Sequence, residues 1–101
     1  MEKIKENLGI LIFALYNFKN INEIILSEED ASYLKIGYDL DERKAIYEAL
    51  IWAMDNPDFK FENIMENTPV VGKLPFSNEE IYDYLSDFKI FMEKDNGLLN
   101  E

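Results

Sequence analysis

The sequence predicts an all-α protein, a compact bundle of about four to five helices with an extended loop near residues 67–76. Three observations predict it. Apolar residues recur at helical spacing, whereas period-two alternation is weak. Val occurs twice and Thr once, so strand formers other than Ile and the aromatics are scarce. Capping signals stand directly before the apolar runs. At 101 residues the chain is expected to form a single helical domain, 1–101.

The first helix is expected over residues 3–18. Ile4, Leu8, Leu11, Ile12, Leu15 and Phe18 form one apolar stripe. Ile10, Phe13 and Tyr16 add apolar surface on other sides, which predicts a central helix with several neighbours. The run Leu8–Tyr16 imitates a secretory signal, but Glu2 and Glu6 dilute its basic end and no small-residue cleavage site follows. Nine apolar positions also fall short of a membrane span. A cytoplasmic location is therefore expected.

The second helix begins near Ser27, where Ser27-Glu28-Glu29-Asp30 resembles a capping box with Asp in place of the usual Glu. Gly37 ends it. The third helix covers about 40–55, capped by Asp39 or Asp41, with Ile46, Leu50, Ala53 and Met54 as its stripe. Trp52, Tyr47 and Ile51 beside this stripe read as core rather than as an exposed aromatic patch. Asn56-Pro57 stops that helix and starts a short fourth one, anchored by Phe59, Phe61, Ile64 and Met65. Pro69, Gly72 and Pro75 set the loop at 67–76, where Lys73 and Phe76 would be displayed if it binds a partner. The last helix has the clearest start: Ser77-Asn78-Glu79-Glu80 is a full capping box, with Phe76 placed to staple onto Ile81. Ile81, Leu85, Phe88 and Met92 carry its stripe, and Asn96-Gly97 closes it.

The composition excludes much chemistry. There is no Cys and no His, so thiol nucleophiles, thiolate or imidazole metal sites and Ser-His-Asp triads are ruled out. No phosphate-binding glycine motif occurs. Asp39-Leu40-Asp41-Glu42-Arg43-Lys44 begins like a calcium loop, but Lys44 stands where Gly is required and Leu50 where the final Glu belongs. Among 21 acids, carboxylate pairs arise by chance and do not mark a glycosidase. No catalytic residue, metal site or cofactor is assigned.

A net charge of −11 opposes direct contact with nucleic acid or an anionic membrane. The charge is concentrated. Residues 20–42 hold seven acids against Lys35 alone, residues 55–66 are net −3, and residues 79–87 hold Glu79, Glu80, Asp83 and Asp87 with no base. Glu80, Asp83 and Asp87 fall at i, i+3 and i+7 on one helical face. Like charges at such spacing cost a helix about 0.2–0.5 kcal/mol per pair, so a function is sought for them. The bland alternative is a solvated face whose first-turn acids offset the helix dipole. Tyr82 and Tyr84 interleave with these acids, and Tyr is favoured at interfaces. The candidate binding set is Glu79, Glu80, Tyr82, Asp83, Tyr84 and Asp87, together with Glu28, Glu29 and Asp30.

Tyr47–Asn56, then Asn56-Pro57-Asp58-Phe59, then Leu74–Leu85, set in a cysteine-free acidic helical chain, resemble the immunity proteins of bacterial toxin–immunity systems. These include the contact-dependent growth inhibition, polymorphic toxin and colicin nuclease types. The Tyr-Tyr-Pro triplet of the colicin DNase immunity proteins is absent, so their binding residues are not carried over. The resemblance implies an antitoxin that occludes a cognate basic toxin, a nuclease with RNase ranked ahead of DNase, as a monomer in a 1:1 complex. The alternatives are a nucleic-acid mimic that inhibits a DNA-binding protein and a helical adaptor that binds through an apolar surface.

Overall fold

The fold, a computed structural model, describes residues 2–13, 15, 26–64, 76–94, 98 and 99. Among the described residues four α-helices follow in order: α1 (Glu2–Phe13), α2 (Glu28–Gly37), α3 (Leu40–Asp55) and α4 (Asn78–Glu93), with a 3₁₀ turn at Phe61–Asn63 between the last two. The described residues contain no strand, as an all-α reading requires.

The helices start where their caps dictate. Asp39, not Asp41, caps α3: its Oδ1 accepts the Glu42 amide at 2.8 Å, and the Glu42 carboxylate accepts the Asp39 amide at 3.2 Å. Ser77 and Glu80 make the same reciprocal pair at α4, at 3.1 and 3.0 Å. At α2 the shorter Asp30 suffices, because its Oδ2 accepts from both the amide and the hydroxyl of Ser27, at 2.8 and 3.1 Å. Each pair satisfies donors that a helix start leaves without intrahelical partners.

Helix α3 is the centre of the bundle, packed against α1, α4 and α2. This corrects the expectation that the first helix is central. Leu8, Leu11 and Ile12 are buried, but Ile10 and Phe13 are exposed on the far side of α1. The heart of the core is Leu8, Ile12, Ile46, Leu50, Ile81 and Leu85, each at most 1% exposed, and Leu15 and Leu98 are sealed in with them. Ile51 is exposed, contrary to the core reading, whereas Trp52, Tyr47 and Met54 pack half-buried against the core.

The fourth short helix expected after Asn56-Pro57 is replaced by a turn and the 3₁₀ segment. The cause is aromatic packing. Phe59 meets Trp52 edge-on with ring centroids 5.1 Å apart, and Phe61 meets Phe59 at 5.3 Å. Asn78 then binds this turn from the start of α4, accepting from the Phe61 amide at 2.7 Å and donating to the Phe59 carbonyl at 2.9 Å. One side chain thereby supplies partners that a helix would have found in its own backbone. Residues 14, 16–25, 65–75 and 95–97, among them Lys73, most of the 67–76 loop and the Asn96-Gly97 stop, lie outside the described residues. Phe76, expected to be displayed, is instead 4% exposed and packs into the core.

Candidate functional site

Helix α4 divides cleanly into two faces. Ile81, Tyr84, Leu85, Phe88, Phe91 and Met92 are buried. Glu79, Asp83 and Asp87 are exposed, at i, i+4 and i+8 along the opposite side. Eight residues of helix rise about 12 Å, so the three carboxylates form a straight row of that length. Ile90 continues the row at 51% exposure.

The structure sorts the predicted residues. Glu80 is half-buried and its carboxylate is occupied by the cap, so the free row begins at Glu79. Tyr82 is half-buried; its ring lies 6.2 Å from that of Phe61 and its hydroxyl donates to the Met54 carbonyl at 3.4 Å. Tyr84 is a correction. It is 5% exposed and its hydroxyl donates to the Leu11 carbonyl at 3.0 Å, so it anchors α4 to α1 and offers a partner no surface. Burial raises its pKa above the ordinary tyrosine range, and the Asp30 charge acts in the same direction. In α2, Glu28 and Glu29 are exposed, while Asp30 is half-buried and committed to its cap.

Leu26 lines one cleft of about 240 Å³ with Asp87, Ile90, Phe91 and Lys94. The acidic first turn of α2 starts two residues after Leu26, and α2 packs on α3. Among the described residues the one ion pair is Lys89–Glu93 at 2.6 Å, so the acidic row is not neutralised by pairing. Glu93 also accepts the Tyr47 hydroxyl at 2.5 Å, and Lys89 lies 5.6 Å from the centre of the Tyr47 ring. This cluster joins α3 to α4 beside the acidic row.

A second, larger groove of about 560 Å³ is lined by Lys5, Glu6, Gly9, Ile10, Phe13, Tyr38 and Ile64. Its walls are mainly hydrocarbon, with Lys5, Glu6 and Tyr38 as the polar residues among the described lining. Among the described residues no group of three or more carboxylates is arranged to hold a metal ion, and no helix is long and apolar enough to cross a membrane.

Two features were missed in the sequence. Arg43 is 6% exposed and spans the fold: its Nε–H is shared between the carbonyls of Tyr38 and Asp39, at 3.2 and 3.3 Å, and Nη1 donates to the Leu98 carbonyl at 3.1 Å. In a sequence it reads as one more surface base. The other is the outer face of α2, where Tyr33 and Ile36 are exposed. Their spacing from Glu29, at i, i+4 and i+7, was the available signal.

Compared with family models, with curated proteins and with solved structures, the chain matches none.

Proposed function

We propose that this chain is an immunity protein that captures a cognate basic bacterial toxin, a nuclease with RNase ranked ahead of DNase, and neutralises it by 1:1 occlusion. The observation that supports this reading is the exposed row Glu79, Asp83 and Asp87, with no base between them. Three like charges along one helix oppose folding slightly. They favour encounter with a cation-rich surface, and a nuclease must carry such a surface to hold its polyanion. Complementary charge raises association from a neutral ~10⁵–10⁶ M⁻¹s⁻¹ toward about 10⁸ M⁻¹s⁻¹. Fast capture is what protection from a toxin made in the same cell requires.

The test is capture on immobilised chain from lysate of the source bacterium, after nuclease digestion, with elution by a salt gradient. The reading expects a basic protein at near 1:1 stoichiometry, eluting with rising salt. Its RNase or DNase activity should fall to background when one equivalent of the chain is added. A captured protein that competing DNA displaces would instead identify a nucleic-acid mimic. Salt-insensitive capture, or none, would reject both.

A further inference from the structure

We infer that the outer stripe of α2, Glu29–Tyr33–Ile36, is a docking surface for a basic protein partner that presents an apolar slot edged by Lys or Arg. The inference rests on the basic-partner reading above and assigns that partner a second point of contact.

Helix α2 is two-sided in an unusual sense. Its inner stripe is thin: Ala31 is buried and Leu34 is half-buried. Its larger hydrophobic side chains point the other way. Tyr33 is 65% exposed and Ile36 is 84% exposed, the highest value among the described large apolar residues that face water. At 100° per residue, Glu29, Tyr33 and Ile36 fall within about 60° of one another, opposite Ala31 and Leu34. A single exposed apolar residue is ordinary. Here an aromatic and an isoleucine are aligned, and the Tyr33 hydroxyl donates to the Glu29 carboxylate at 3.3 Å, which fixes the ring along the helix.

Charge selects the occupant. Residues 28–42 carry Glu28, Glu29, Asp30, Asp39, Asp41 and Glu42 against Lys35 alone. A second copy of this chain would bring the same acids face to face, and each copy carries −11. A cationic surface gains from the same field, and its apolar slot would desolvate Tyr33 and Ile36. Tyr is enriched at the energetic centres of interfaces, and charge is carried at the polar rim around them.

The test uses a defined probe, a designed amphipathic Lys/Leu helical peptide, titrated into the isotopically labelled full chain and followed by amide chemical shifts. The largest shifts are expected at residues 29–37, and they should shrink with added salt. A Tyr33→Ser/Ile36→Ser variant should weaken binding about tenfold while keeping the wild-type circular dichroism and melting temperature. Shifts confined to Glu79, Asp83 and Asp87 would overturn the α2 site and leave the basic-partner reading intact. Equal binding of a Glu/Leu peptide would overturn the charge argument. Sedimentation showing a dimer that the double variant dissolves would assign the stripe to self-association instead. Failure of toxin capture with the α2 shifts retained would overturn the immunity reading and not the surface.

Discussion

The Tyr84 hydroxyl donates to the main-chain carbonyl of Leu11 at 3.0 Å, tying the middle of α4 to the last turn of α1. Carbonyls in a last turn run out of intrahelical donors, so a distant side chain supplies one in the core. Tyr84→Phe keeps the ring and removes the donor. The expected loss is about 1–2 kcal/mol in unfolding free energy, read from urea denaturation at neutral pH.

The same tyrosine sets an alkaline limit. Burial holds the folded-state pKa above the ordinary value near 10. Below pH 10 both states are protonated and the stabilisation is complete. As pH rises past 10 the unfolded chain ionises first, so stability falls until the folded-state pKa is passed. The expected slope is about 1.4 kcal/mol per pH unit from this one group. Urea midpoints across that range should fall more steeply for the wild type than for Tyr84→Phe.

Arg43 makes a different kind of tie. Its guanidinium reaches the carbonyls of Tyr38 and Asp39 with one nitrogen and that of Leu98 with another. A lysine cannot occupy both directions at once. Arg43→Met and Arg43→Lys are both expected to destabilise by about 2–3 kcal/mol. Hydrogen exchange should show faster exchange at Leu98 and Leu99 in both variants.

Glu93 is held below the ordinary carboxylate range by its hydrogen bonds to Lys89 first and Tyr47 second. Its depressed pKa contributes stability that is present above the ordinary glutamate pKa and lost as pH falls through the lower folded-state value. Side-chain carboxyl titration by nuclear magnetic resonance should find Glu93 low in the wild type. The value should rise in Lys89→Ala, and by less in Tyr47→Phe.

On the acidic row, stability and binding are expected to move in opposite directions. Asp83→Lys converts two like-charge contacts, to Glu79 and Asp87, into attractions, each worth about 0.2–0.5 kcal/mol. The melting temperature should therefore rise slightly. Affinity for the proposed basic partner should fall more than tenfold and lose much of its salt dependence. Unchanged affinity would remove α4 from the interface.

The helices themselves were legible because their causes are local. Ser27, Asp39 and Ser77 each meet an acid three residues on, and α2, α3 and α4 begin where those pairs form. The stripe Ile81, Leu85, Phe88 and Met92 is buried as its spacing predicts. Of the acidic face read on α4, Asp83 and Asp87 are exposed as their spacing requires, whereas Glu80 is drawn into the cap and Glu79 takes its place in the row.

What each face meets is not local, and tertiary structure alone decided it. Tyr82 and Tyr84 look equivalent between the acids of α4, yet Tyr84 is turned onto α1 and its hydroxyl finds Leu11. Helix α2 carries two apolar pairs, and only its seat against α3 shows that Ala31 and Leu34 face inward while Tyr33 and Ile36 face water. Residues 57–63 have the composition of a helix start. The rings of Trp52 and Phe59 and the side chain of Asn78, which is 17 residues beyond Phe61 in the chain, stabilise a 3₁₀ turn there instead. Periodicity specifies the faces of a helix. The neighbour that covers a face comes from elsewhere in the chain, and its position depends on the packing of the whole core.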